Sequence, residues 1–286
     1  MRRELFEEAY EKFWGLAESK EIPRYQCNSY ELCDLVGRVE WSIPFVGFMV
    51  EGELRESINK LNAWLRYLAD LKVWQELLSD YGEEDAWSLR LHFIEPLVHY
   101  CMLEPSSTRD RLGQVATNGV HQVNLCIDTD YKDTLDQDHL KPGQFLGRKK
   151  IEAQLGRLTK RWATGKGLTD ALRNLDSDAY RLETLDYRNA ASHFIAPRLE
   201  IGEVQFVTRQ IKLFSELVEL ADDTFQLVDN PDRKCVSYGF GGIRPLSLGE
   251  IIEANSREYD FAVAALEAYS NLLREAVPQI VAQGRT

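Results

Sequence analysis

One repeating pattern of apolar residues constrains the fold of this chain more than any other feature. Large aliphatic side chains recur at alternating steps of four and three residues, at Leu54, Ile58, Leu61, Leu65 and Leu68. This spacing places them along one face of an α-helix, as in the seams of helical bundles. The pattern predicts a long helix from about residue 52 to about residue 82, with one side buried against other helices.

Most of the remaining chain has the same helical spacing. Further helices are predicted over residues 4–18, 28–41, 87–103, 108–126, 151–162, 177–196, 204–221 and 247–277. Pro23 is expected to end the first helix, and Pro105-Ser106-Ser107-Thr108 is typical of a turn. Asp176 or Ser177 is expected to cap the helix predicted over residues 177–196. The signal Asp229-Asn230-Pro231-Asp232 predicts a second turn, inside a small β-hairpin near residues 225–240.

The predicted fold class is therefore all-α, an antiparallel helical bundle with one small β-hairpin. The acidic connector Asp80–Asp85 is the best candidate for a boundary between two parts of the chain. It would separate an N-terminal helical extension, residues 1–82, from a bundle formed by residues 83–286. A single continuous domain is the alternative.

Composition favours a soluble cytoplasmic protein. Hydrophobic residues make up 44% of the 286 residues, which is ordinary for a globular chain. No signal peptide is expected, since the N-terminus turns acidic at once, and the apolar run 43–50 is too short to cross a bilayer. The five cysteines form no Cys-x-x-Cys pair, which favours reduced thiols in a cytoplasm. No membrane partner is expected.

Charge is distributed unevenly along the chain. The net charge is −12, yet residues 141–173 contain nine basic and two acidic residues, a local balance of +7. A basic segment of this kind suits a phosphate-binding groove, although a solvated helix face is an equally good interpretation. Four cations that lie off the apolar stripe Ile151–Trp162 are the candidate RNA-binding residues. They are Lys150, Arg157, Lys160 and Arg161.

The stretch Arg188-Asn189-Ala190-Ala191-Ser192-His193 begins fifteen residues downstream of this segment and ends before Pro197. It is an Arg-x4-His pattern with a polar second residue and small residues in between. Over residues 182–194 it resembles the signature of the HEPN superfamily of helical domains, many of which are metal-independent ribonucleases. The resemblance also implies the helical-bundle architecture over about residues 85–280.

In HEPN ribonucleases two copies of this motif face each other across a dimer cleft. The resemblance therefore implies a homodimer that binds RNA, a role as a stress or defence toxin, and a protein partner such as an antitoxin. Carried over to this chain, His193 is the acid/base, Arg188 the phosphate clamp and Asn189 the positioning residue. Histidine titrates near neutrality and arginine binds phosphate oxygens bidentately, so both residue types suit this chemistry.

Two other functions stay open. HEPN domains also serve as non-catalytic dimerisation and binding modules. A metal-dependent bundle enzyme is the third hypothesis, because His92, Glu95 and His99 share one face of a predicted helix and His121 could join them. No second ligand set is recognisable, so we expect no metal there. Residues 165–167 and 239–242 fit neither a phosphate-binding loop nor a dinucleotide fingerprint, and no cofactor is expected.

Overall fold

The architecture was determined from a computed structural model, which describes residues 2–19, 27–132 and 134–283. Its elements follow one another as α1 (Arg3–Ser19), α2 (Glu31–Gly37), α3 (Val46–Leu77), α4 (Glu83–Leu89), α5 (Glu95–Ile127), α6 (Arg148–Leu158), α7 (Gly165–Asn174), α8 (Asp178–Glu183), α9 (Tyr187–His193), β1 (Val204–Glu219), β2 (Phe225–Ile243) and α10 (Leu248–Gln283). The fold is mostly helical with one two-stranded sheet, as predicted in outline. Pro23 lies outside the described residues.

The chain forms two compact units. The first comprises residues 1–188 and 248–286, and the second comprises residues 189–247. The connector at residues 80–85 lies within the first unit, where a 3₁₀ turn, Leu78–Asp80, leads into α4. The predicted division near residue 82 stays a prediction.

Helices α3, α5 and α10 contact one another and form the core of the first unit. The predicted seam of α3 is buried at Leu54, Ile58, Leu61 and Leu68. Gly119 of α5 faces the fully buried Tyr269 of α10, and Val50 of α3 lies beside it. Since a Cβ atom at residue 119 would collide with the Tyr269 hydroxyl, glycine is needed where the helices meet.

The predicted turn at residues 105–108 is wrong. Helix α5 continues through Pro105, which is buried together with Glu104 and Ser106. Proline in a helix interior removes one backbone hydrogen bond, and the burial of the surrounding turn offsets that loss. The irregularity lies upstream, where Arg90–Ile94 form a π-helical turn before Pro96, the second residue of α5.

The amphipathic helix predicted over residues 204–221 is also wrong, because this segment is strand β1. It pairs along its whole length with β2, so the hairpin spans residues 204–243 and not only 225–240. Its turn lies at residues 220–224. The signal at 229–232 instead marks a bulge, since the register steps from Leu213↔Lys234 to Phe214↔Asn230. Pro231 cannot donate to a ladder, so it sits where pairing is interrupted.

All five cysteines are free, and Cys33 and Cys101 are buried. No helix in the described part of the chain has the length and apolarity needed to cross a membrane.

Candidate functional site

The Arg-x4-His stretch occupies a short helix of its own. The single helix predicted from Ser177 to about residue 196 is interrupted, because α8 ends at Glu183 and α9 begins at Tyr187. Ser177 does cap α8, where its hydroxyl accepts a hydrogen bond from the Tyr180 N–H at 3.2 Å. Between the helices, Leu185 and Asp186 adopt left-handed backbone conformations with φ of 54° and 50°.

Three side chains of α9 were predicted to be catalytic. Arg188 and His193 are exposed, and Asn189 is half-buried. On an ideal helix Arg188 and His193 are about 7.5 Å apart along the axis and roughly 140° apart around it, so they leave the helix in different directions. Because its side chain is exposed, His193 is not a buried core histidine. The boundary between the two units falls between Arg188 and Asn189.

The residue that begins α9 is anchored within the first unit. The Tyr187 hydroxyl lies 3.3 Å from Nδ1 of His99 on α5. Burial, together with the nearby Glu95 carboxylate, raises the pKa of Tyr187. The sequence does not predict this contact, because no local pattern indicates that two residues 88 positions apart come together.

The cationic segment is less available to RNA than its sequence suggests. All four candidate RNA-binding side chains, Lys150, Arg157, Lys160 and Arg161, are exposed as predicted. However, Arg157 pairs with Asp136 at 3.0 Å, and Arg161 pairs with Asp128 at 2.9 Å. Lys150 and Lys160 form no ion pair within the described residues.

Arg148, the first residue of α6, is only partly exposed and is held by neighbouring protein groups. Its guanidinium contacts Asp110 of α5 and Asp176, both at 2.5 Å, and it also donates to the Ser106 hydroxyl at 2.7 Å. Arg181 of α8 binds the same Asp176 carboxylate at 2.7 Å. The local balance of +7 is thus partly neutralised by carboxylates from outside residues 141–173.

Asp176 is the centre of a buried polar cluster that could not be predicted from the sequence. Burial alone would raise its pKa, but hydrogen bonds from Arg181 and Arg148 outweigh that effect and hold the pKa below its ordinary value. Its backbone N–H donates to Glu258 of α10 at 2.8 Å. Burial raises the pKa of Glu258 to about 7, and the Asp176 charge adds to the rise. The cluster ties α5, α6, α8 and α10 together.

The histidines considered as metal ligands have other contacts. The His92 ring stacks on Phe6 with centroids 4.4 Å apart, and His99 contacts Tyr187. His121 is buried and lies 2.7 Å from the Tyr131 hydroxyl. The described residues contain no group of three or more His, Cys, Asp or Glu side chains arranged to hold a metal ion.

No protein-family model matches the sequence, and comparisons with curated proteins and with solved structures give no significant match. The resemblance to HEPN domains therefore rests on the sequence pattern of residues 182–194 and stays an expectation.

Proposed function

We propose that the protein is a metal-independent RNA endonuclease of the HEPN type that acts as a homodimer in the cytoplasm. The observation that carries this proposal is the exposure of both Arg188 and His193 on helix α9. A substrate from solvent can reach each side chain, and neither side chain is buried in the hydrophobic core. The small residues Ala190 and Ala191 between them leave room for a second helix or a nucleic-acid backbone to approach.

Cleavage without metal needs a base for the 2′-hydroxyl, an acid for the departing 5′-oxygen and a cation for the phosphate. His193 serves the proton transfers, since an imidazole supplies both protonation states near neutral pH. Arg188 binds the phosphate oxygens with its planar fork, and the Asn189 amide holds the scissile group in position. The product is a 2′,3′-cyclic phosphate. Two copies of the motif complete the site, as the family resemblance implies.

Among the candidate RNA-binding cations, the ion pairs favour the lysines as the principal contacts. Arg157 and Arg161 would have to leave Asp136 and Asp128 to bind phosphate, whereas Lys150 and Lys160 have no such pair in the described chain. Each phosphate contact releases counterions, so its loss reduces the salt dependence of binding. We expect Lys160→Ala to weaken RNA binding and lower its salt slope more than Arg161→Ala does.

The decisive experiment incubates labelled single-stranded RNA with the protein in the presence of EDTA. His193→Ala should lower the cleavage rate by roughly 10²–10⁴-fold, the usual contribution of general acid–base catalysis. Arg188→Ala should also reduce cleavage strongly, through loss of the phosphate clamp. His139→Ala, at an exposed histidine in the loop between α5 and α6, is the matched control and should cleave like wild type.

If the wild-type protein does not cleave the RNA, or if His193→Ala cleaves it equally well, the ribonuclease hypothesis is rejected. The second candidate is then a non-catalytic binding protein of the same helical type, whose partner would be an antitoxin-like protein or another chain. The observation that favours it is the exposed apolar surface of the β1–β2 hairpin, where large hydrophobic side chains such as Ile211 and Leu227 face solvent.

A further inference from the structure

The two faces of the β1–β2 ribbon differ sharply in character. Successive side chains of a strand point to opposite faces, so odd-numbered residues of β1 share a face with their partners on β2. That face, here called the apolar face, carries seven large hydrophobic side chains between ribbon positions 209 and 219. They are Ile211, Leu213, Leu217, Phe225, Leu227, Val236 and Tyr238.

The apolar face is uncovered in the monomer. Ile211 and Leu227 are each 68% exposed, while Phe206 and Phe214 on the opposite face are partly covered. Phe206 packs edge-on against Phe194, and Phe214 lies under the Arg233 guanidinium. Because a two-stranded ribbon is barely stable by itself in water, an apolar face of this length needs a cover.

The charges on the apolar face indicate what that cover is. Residue 214 is the centre of the segment 209–219, so Arg209 lies five positions from it on one side and Glu219 five positions on the other. On β2, Lys234 pairs with Leu213 and Asp229 pairs with Ser215, so this second pair of opposite charges also straddles position 214. Between positions 209 and 219 the face is thus self-complementary under a half-turn about position 214.

We propose that the apolar face is a dimer interface, on which the ribbon of a second copy stacks face to face with its strands reversed. The two-fold axis lies between the ribbons, across the strands at position 214. Each strand then covers its own counterpart, which is the isologous contact that two-fold symmetry requires. Arg209 meets Glu219 of the second copy, Lys234 meets its Asp229, and Ile211 meets its Leu217.

The other symmetric arrangement is unfavourable. With the axis parallel to the strands, β1 of one copy would cover β2 of the other at the same position. Arg209 would then be buried against Tyr238, and Lys234 against Leu213, without a counter-charge. The mixed signs of the face also disfavour an anionic membrane surface, which attracts clusters of lysine and arginine.

The size of the interface fits a specific dimer. Covering each of the seven apolar side chains removes about 100 Å² of surface, by the usual relation between burial and area. Two copies therefore bury roughly 1,400 Å² of apolar surface, which lies in the range of stable protein–protein contacts. The proposal concerns residues 209–238 only and does not depend on the ribonuclease activity of α9.

Charge reversal tests the proposal on the full-length protein, with analytical ultracentrifugation over micromolar concentrations. Wild type should be a dimer. Arg209→Glu places like charges together twice in the symmetric dimer, so its dissociation constant should rise at least tenfold. Adding Glu219→Arg to the same chain should restore the dimer. Lys212→Glu makes the same change of charge on the opposite face and should leave the dimer intact.

Leu227→Asp provides a second disruption. Its side chain is exposed in the monomer, so the variant should keep the helical circular dichroism of wild type while losing the dimer. A monomeric wild type at 100 µM overturns the proposal, and binding of that monomer to anionic phospholipid vesicles would assign the face to a membrane. A dimer that Arg209→Glu leaves unchanged also overturns it, because the two copies then meet elsewhere.

Discussion

Glu258 makes the stability of this protein depend on pH in an uncommon direction. The side chain lies on α10, is 3% exposed, and accepts a hydrogen bond from the Asp176 backbone N–H. Burial raises its pKa from 4.5 to about 7. A tenfold change in an ionisation constant corresponds to about 1.4 kcal/mol, so ionising Glu258 in the folded protein costs roughly 3 kcal/mol more than in the unfolded chain.

The sign follows from proton binding. Below pH 4.5 the carboxyl is protonated in both states and has no effect. Between pH 4.5 and about 7 the unfolded chain releases the proton while the folded protein keeps it, so the free energy of unfolding falls as the pH rises. Above pH 7 the carboxyl is ionised in both states, and the free energy of unfolding is lower by the full amount of about 3 kcal/mol. The opposite contribution of Asp176 lies below its ordinary pKa of 3.8 and does not overlap this range.

Glu258→Gln keeps the carbonyl oxygen that accepts from Asp176 but cannot ionise. Urea unfolding should show the variant near wild type at pH 4.5 and more stable by about 3 kcal/mol at pH 8. Glu267→Gln, at an exposed position of the same helix, should show no such divergence. A difference between Glu258→Gln and wild type that stays constant from pH 4.5 to 8 would refute the reasoning.

Two further substitutions probe buried contacts within the first unit. Asp176→Asn removes the buried carboxylate that Arg148 and Arg181 share, leaving Arg148 with Asp110 alone, and should cost about 3–5 kcal/mol in urea unfolding. Asp170→Asn breaks only an exposed pair with Arg173 and should cost less than about 1 kcal/mol, so equal losses would contradict this account. Gly119→Ala should destabilise by roughly 1–3 kcal/mol in the same assay, because its Cβ meets the Tyr269 hydroxyl. Combining it with Tyr269→Phe should recover part of that loss, and strict additivity of the two changes would show that they do not touch.

Local periodicity determined much of the helical fold. The seam at Leu54, Ile58, Leu61 and Leu68 is buried in α3, and the exposed cations of α6 lie beside buried Ile151 and Leu155. Ser177 caps a helix as expected. These features involve residues within one or two turns of each other, so the sequence around each one contains the information needed to predict it.

Distant pairing decided what periodicity could not. Val204, Val207, Ile211 and Phe214 have helical spacing, yet they form a strand because residues 225–243 pair with that segment along one edge. Helix α5 likewise passes through Pro105 because burial on both sides outweighs one lost bond.

Charge and exposure at the candidate site were decided by the tertiary structure as well. The segment 141–173 is strongly basic in sequence, but Asp128 and Asp136 neutralise Arg161 and Arg157, and the buried Asp176 holds Arg148. The residues of α9 could be named from the sequence, whereas the exposure of His193 could not. Coulomb interactions and burial depend on separation in space, and a chain that folds back on itself sets that separation through contacts tens of residues apart.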